Sequence, residues 1–376
     1  MNWKHLAIFG AVALFCFAAF SILRPTIWGN DSFGFAYISC HGSNPLMQSR
    51  MPLAIPFFEL LPCNYLAWNA LGAFVMWLVM IVVGLIGEQF NEKHGWIAGL
   101  AMFGNALFLS QSFSLEDVLF ATPLLFLSFY FAIRLAMERK VIWFIAMVST
   151  FLIALGTWKG ALLFTPIIAF LVAGTLSFII AIAFVLLLSG TYLFLGILGF
   201  FNGQLVQENL SGFGLIHNWV LLLGFANIEA LLLLPTIWLG FLAFMAQKYT
   251  IFVAPFLAIF VINYLEKKPD GWKVFAVIMV LGIAVLSFMS IPTLFPNEEQ
   301  RQAVNEAIVL ADGNVLLNDF GLGWYINFVG GKAAQVGGYP DPDFNHLKGY
   351  ALTKAGTNCK TIKTFDENLR LQYCDN

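Results

Sequence analysis

A few charged residues interrupt an otherwise apolar chain, and they stand where they can do chemistry. Asp31 lies in Ile27-Trp28-Gly29-Asn30-Asp31-Ser32-Phe33, and Glu116 and Asp117 are adjacent in Ser110-Gln111-Ser112-Phe113-Ser114-Leu115-Glu116-Asp117. Glu208 is the only acid of Phe201–Gly212. Two lysines stand apart from the other basic residues: Lys159 in Thr157-Trp158-Lys159-Gly160, and Lys248 ahead of Tyr249. Carboxylates are hard oxygen ligands for Mg²⁺ or Mn²⁺, and a carboxylate also accepts a proton from a nucleophile. A lysine beside them opposes the charge of a phosphate.

Each signal also has an ordinary reading. Asn30 or Asp31 caps a helix, and Glu116 with Asp117 suits the positive end of a helix dipole. Trp158 belongs to an interfacial aromatic belt, Lys159 snorkels, and Glu208 is solvated in a glycine-bounded loop. The functional reading gains over these only if the acids converge.

The elements that would bring them together are membrane helices. Of 376 residues, 60% are hydrophobic and 11% charged, against about 25% charged for a soluble domain. Mean hydropathy is +0.81. A net charge of −2 gives no reason to expect a nucleic-acid partner. Spans are expected near 5–23, 64–86, 95–112, 118–137, 141–156, 161–173, 175–199, 213–226, 228–247, 249–266 and 272–292, eleven in all. The first apolar run has no small-residue cleavage site and reads as a retained helix.

Basic residues set the orientation. With Lys4 and His5 in the cytoplasm, the cytoplasmic loops hold Lys93, His94, Arg134, Arg139, Lys140, Lys267, Lys268 and Lys273. The outer loops then hold Asp31, Glu116, Asp117 and Glu208, with the basic residues Arg24, Arg50, Lys159 and Lys248 falling outside the pattern, and the C-terminus is extracytoplasmic. Cys40 and Cys63 fall in one outer loop and Cys359 and Cys374 in the outer tail, as two disulfides on an oxidising face would require. Asp31–Ser43 reads as a helix along the membrane surface.

Two domains are expected: residues 1–295 in the membrane and 296–376 outside it. The second reads as a small α/β unit. It has a helix over Asn297–Leu310, a strand over Asn314–Leu317, a short helix over Trp324–Val329 and a strand over Ala333–Val336. A helix over Asp343–Tyr350 follows, then a pair, Thr361–Phe365 and Leu369–Tyr373.

In this order the motifs resemble the catalytic subunit of oligosaccharyltransferase, within the GT-C class of membrane glycosyltransferases. Gly29-Asn30-Asp31-Ser32-Phe33 is similar to that family's acid in the first outer loop. Glu116-Asp117 stands where its DXD-like pair does, adjacent rather than spaced. Thr157-Trp158-Lys159-Gly160 matches its Trp-x-Gly, and Leu205-Val206-Gln207-Glu208 is similar to its SVSE or TIXE loop. Lys248 ahead of Pro255 replaces an arginine, and Leu317-Asn318-Asp319-Phe320-Gly321 stands for WWDYG without its tryptophans.

The resemblance implies a GT-C-like bundle that moves a glycan from a polyprenyl or dolichyl (pyro)phosphate to an acceptor protein or glycan, an asparagine in the oligosaccharyltransferase case. It implies Asp31 and Glu208 as catalytic residues, and Mg²⁺ or Mn²⁺ held by Asp31, Glu116, Asp117 and Glu208. Lys248 and Lys159 would face the donor phosphate, while Asn318, Asp319, Phe320 and Trp158 would meet the acceptor.

Three other readings compete. The same acids and lysines suit a transferase of the protein mannosyltransferase type, which takes one sugar from a polyprenyl phosphate. A transporter would bury ionisable groups at mid-membrane, where Glu229 alone is a candidate, and a membrane scaffold would leave the acids scattered. Asn30-Asp31-Ser32 and Asn209-Leu210-Ser211 are also sequons, read as coincidental.

Overall fold

The computed structural model describes residues 1–23, 36, 38, 53–105, 108–109, 112, 117–174, 176–185, 187, 230–245, 249–290, 298–317, 322–323, 325–326, 329–335, 348–353, 359–365 and 369–375. The chain divides into two compact units. The first is Met1–Ala18, Ala73–Ser112 and Asp117–Met289; the second is Ala19–Gly72, Phe113–Glu116 and Ser290–Asn376.

The helices, in order, are α1 (Trp3–Leu23), α2 (Ile55–Glu59), α3 (Tyr65–Phe90), α4 (Ile97–Ala101), α5 (Asp117–Glu138) and α6 (Val141–Thr157). Then come α7 (Thr165–Ala173), α8 (Leu176–Val185), α9 (Ala230–Met245), α10 (Thr250–Glu266), α11 (Asp270–Ser290) and α12 (Glu298–Leu310). Among the described residues, three helices are long and apolar enough to cross a membrane: Trp3–Ile22, Tyr65–Phe90 and Val118–Glu138. The shorter apolar helices include Val141–Thr157 and Thr250–Glu266. Exposed apolar side chains, Leu14, Phe15, Ile22, Phe74, Val277, Ile278, Leu281 and Val285 among them, face outward from α1, α3 and α11. A water-soluble protein would bury such residues; lipid accepts them.

The expected span over 95–112 is not one helix. α4 ends at Ala101, a 3₁₀ turn covers Met102–Gly104, and Asn105 is extended. Its helical part packs closely on α3. A Cβ at Gly99 would stand 2.3 Å from the Met80 carbonyl oxygen and 2.8 Å from the Phe9 ring, so α4 lies backbone-to-backbone on α3. The span expected at 161–173 is likewise split, between a 3₁₀ turn over Lys159–Phe164 and α7. The expected spans at 213–226 and over most of 186–199, and the surface helix Asp31–Ser43 apart from Ala36 and Ile38, lie outside the described residues.

In the first unit, α5 and α6 form an antiparallel hairpin. The Ser128 hydroxyl donates to the Met147 carbonyl at 3.1 Å and fixes its register. Phe126 meets Phe252 at 5.7 Å and Phe129 meets Phe256 at 6.1 Å, so α10 runs parallel to α5. α10 is buried from Thr250 to Val261, which makes it the central helix here.

The second unit holds a five-stranded sheet ordered β2-β1-β3-β5-β4, with β1 Asn314–Leu317, β2 Lys332–Gln335, β3 Lys348–Thr353, β4 Lys360–Thr364 and β5 Arg370–Asp375. β1 pairs parallel with β2 and β3; β5 pairs antiparallel with β3 and β4. α12 packs on it through Ala303, Val304 and Ala307. The helix, the first two strands and the last pair match the sequence reading closely. The helix expected over Asp343–Tyr350 does not: Lys348, Gly349 and Tyr350 open strand β3, and 343–347 lie outside the described residues.

Cys359 and Cys374 form a disulfide across the start of β4 and the end of β5. Beneath it, the Thr353 hydroxyl donates to Gln372 Oε1 at 2.8 Å, and Gln372 Nε2 donates to Thr361 Oγ1 at 3.0 Å. Cys63 is also disulfide-bonded; Cys40, its expected partner, lies outside the described residues. Asp375 pairs with Lys348 at 3.2 Å and holds that ammonium above its ordinary range.

Candidate functional site

One end of the first unit is built from aromatic rings around Trp158. α6 ends where the chain turns extended at Trp158, with φ −149° and ψ 118°, and a 3₁₀ turn begins at once. The Trp158 amide donates back to the Ala154 carbonyl at 2.8 Å, and Ala161 N–H donates to the Trp158 carbonyl at 3.1 Å. The indole is only 7% exposed. It stacks on Phe252 with ring centroids 6.2 Å apart and an angle of 4°, and it touches Phe164 at 6.2 Å and Tyr249 at 6.1 Å. Phe164 in turn lies 4.4 Å from Phe252. Trp238 on α9 closes the cluster by donating from Nε1 to the Leu163 carbonyl at 2.8 Å.

Gly160 explains the Trp-x-Gly spacing. A Cβ there would stand 2.1 Å from Trp158 Cζ2 and 2.4 Å from Cε2. The indole folds back over its own turn, and only glycine leaves room for it.

This cluster gathers several of the segments singled out in the sequence. Lys159 is the first residue of the 3₁₀ turn. Lys248 immediately precedes Tyr249, whose ring meets Trp158. Asp117 is the first residue of α5. Asp117 and Trp158 each lie eleven residues from the Ser128–Met147 contact, on the same side of it. At 1.5 Å per residue both are about 16 Å along the hairpin, level with each other. The helix start carrying Asp117, the turn carrying Lys159 and the chain arriving from Lys248 thus share one end of this unit.

Asp31, Glu116, Glu208, Lys248, Asn318, Asp319 and Phe320 themselves lie outside the described residues, and the side chains of Asp117 and Lys159 do too. Among the described residues no group of three or more His, Cys, Asp and Glu could hold a metal ion. In the second unit, β1 ends at Leu317, so the chain enters Asn318-Asp319-Phe320 from the carboxyl end of a strand flanked by two parallel neighbours. Downstream, burial raises the Tyr325 phenol above its ordinary range. The sequence reading missed Phe164, Tyr249 and Phe252 as partners of Trp158; aromatic residues on apolar helices carry no spacing signal that separates a cluster from ordinary core.

The opposite end of the unit is polar and paired. The Met1 amino group binds Glu88, and His5 Nδ1 lies 3.6 Å from the same carboxylate. The His5 ring stacks on Trp96 at 4.3 Å. Arg134 binds Glu138, donates to Gln89 Oε1 at 3.3 Å and lies over the Trp143 ring at 4.9 Å. Lys140 reaches Glu138 at 2.9 Å. Asn91 donates to Glu266 at 2.7 Å, and His94 lies 3.2 Å from it. The segments around His5, His94, Arg134–Lys140 and Glu266, assigned from the sequence to a single side, form one layer.

The fold of this chain has a solved counterpart. A solved structure similar to it is ArnT from Cupriavidus metallidurans, bound to undecaprenyl phosphate. The likeness covers 99% of this chain and 98% of that one, with a TM-score of 0.62 and 13% sequence identity. No protein-family model and no curated protein matches the sequence.

Proposed function

We propose that this protein is a membrane glycosyltransferase that takes its sugar from a polyprenyl-phosphate carrier. The observation that carries the reading is the likeness to ArnT over nearly the whole of both chains, together with the undecaprenyl phosphate bound in that structure. Such a carrier is an apolar chain with one phosphate, and it needs a greasy bundle with cations at one end.

The reaction joins the acceptor's nucleophilic atom to the anomeric carbon as the bond from that carbon to the phosphate oxygen breaks. The acceptor proton passes to the carboxylate of Asp31 or Glu208. Lys159 and Lys248 oppose the charge left on the departing polyprenyl phosphate. Asp31, Glu116, Asp117 and Glu208 are the residues that would hold Mg²⁺ or Mn²⁺, which would neutralise that same charge. Trp158, locked against Phe252 by the room Gly160 leaves, sets the position of Lys159 beside it. Asn318, Asp319 and Phe320 meet the acceptor. The paired end lies in the cytoplasm, and the Trp158 end and the sheet lie outside it.

A monophosphate carrier favours transfer of a single sugar over transfer of an oligosaccharide from a pyrophosphate. The missing tryptophans before Asn318-Asp319-Phe320 point the same way, away from a sequon-reading oligosaccharyltransferase. The test is a transfer assay on purified protein with radiolabelled polyprenyl-phosphate sugars, a sequon peptide and a host lipid extract, with Mn²⁺ or EDTA. Label should leave the monophosphate donor for a lipid or protein acceptor, and Asp31→Ala and Glu208→Ala should each abolish transfer while the protein still inserts. Full transfer by either variant would sink the site; a glycosylated sequon peptide from a pyrophosphate donor alone would restore the oligosaccharyltransferase reading.

A further inference from the structure

We infer that the paired end of the first unit holds one anionic glycerophospholipid, with an acyl chain in the groove between α1, α4, α10 and α11. The site is separate from the proposed transfer site and does not depend on that reading. The groove encloses about 580 Å³, within the range of about 300–1,000 Å³ usual for a ligand site. Its walls are apolar: Val12 and Phe15 from α1, Leu100 from α4, Val261 from α10, and Val277 and Val280 from α11. Among the described residues, charged and imidazole groups enter its lining at one end, from His94, Glu266 and Lys273.

Length and level identify the occupant. Along α11 the lining runs from Lys273 to Ala284, about 16 Å at 1.5 Å per residue. That is about half of a 30 Å hydrocarbon core, the depth of one leaflet. It fits an acyl chain. At the polar end Trp3 is 72% and Trp272 45% exposed, and both stand where an aromatic belt meets the headgroups.

Charge selects the headgroup. The segments at the rim, Glu92–His94 and Glu266–Lys273, carry four lysines (93, 267, 268 and 273) against three acids (Glu92, Glu266 and Asp270). Two of those acids are engaged, Glu266 by Asn91 and His94, and Asp270 by Lys273 at 2.8 Å. Lys93 acts on Glu266 from beside it, and Lys268 lies over the Tyr264 ring at 4.7 Å. The rim is net positive, and a phosphodiester with an uncharged headgroup complements it.

The test is native mass spectrometry of the full chain released from nanodiscs containing phosphatidylglycerol, phosphatidylcholine of the same chains, and undecaprenyl phosphate. One phosphatidylglycerol per chain should remain bound. Val280→Trp, which fills the groove, should cut its retention about tenfold, and the double change Lys93→Gln with Lys273→Gln should erase the preference over phosphatidylcholine. Ala284→Phe is a milder filling change, and thermal unfolding of each variant separates lost binding from lost fold. Equal retention of phosphatidylcholine, retention untouched in well-folded filled variants, or displacement by undecaprenyl phosphate would each overturn the proposal.

Discussion

The two ends of the first unit solve opposite problems. At the paired end, the carboxylates of the polar layer are engaged by cations or donors: Glu88, Glu138 and Glu266 each meet two or more. Those three carboxylates are neutralised where they stand, and none of them is left to take a proton from an acceptor. At the Trp158 end rings dominate the described side chains, and Asp117 and Lys159 stand at the tips of the elements the rings hold, with Lys248 next in sequence to Tyr249. A catalyst needs its charges held in place but directed at the substrate. The rings can supply the rigidity without consuming the charge, which is why the proposed chemistry is assigned to this end.

The most damaging way to break this contrast is to empty the aromatic cluster. Trp158→Ala removes a buried ring that touches Phe164, Tyr249 and Phe252. The expected loss is about 3–5 kcal/mol in unfolding free energy, the range for deleting a large buried aromatic side chain. Thermal unfolding in detergent measures it. A change no larger than that of a surface substitution would mean the rings do not hold this end together.

Gly160→Ala tests the same end by overfilling. The added methyl cannot stay 2.1 Å from the indole, so the ring must leave Phe252 or the turn must open. The expected cost is about 1–3 kcal/mol, and Trp158 fluorescence should shift as its environment becomes wetter. If Gly160→Ala leaves stability and spectrum alone while Trp158→Ala does not, the Trp-x-Gly spacing has a cause other than this contact.

Much of this architecture is legible in the sequence, for identifiable reasons. Long apolar runs such as Trp3–Leu23 and Tyr65–Phe90 announce themselves because lipid tolerates no unsatisfied backbone. The strands Asn314–Leu317 and Lys360–Thr364 fall where alternation and turn residues put them, and Cys359 and Cys374 do pair. What escaped depends on partners distant in sequence. α4 lies tight on α3 because Gly99 leaves room for the Met80 carbonyl, nineteen residues earlier. Lys348–Tyr350 is a strand because β5 pairs Lys348 with Asp375 and Tyr350 with Tyr373. In the candidate site the segment positions of Asp117, Trp158 and Lys159 were legible, and the ring cluster behind them was not, since Phe164 and Phe252 look like any lipid-facing or core residue until the helices are assembled.

The smallest effect should come from the paired end, and with the opposite sign. Arg139 joins α5 to α6 in a left-handed conformation, φ 53°, with its N–H donating to the Leu135 carbonyl at 2.8 Å. That is the helix-ending geometry that glycine adopts without strain and other residues adopt at a cost of about 1 kcal/mol. Arg139→Gly should therefore raise thermal stability by about that much. An arginine kept where glycine is easier must be held for its charge, and next to Lys140 that charge lies where positive residues fix which side of the membrane a loop occupies. The same variant should then show a measurable fraction of inverted chains when loop accessibility is probed from both sides of sealed vesicles. Greater stability with unchanged orientation would remove the charge argument and leave the strained turn without a physical reason.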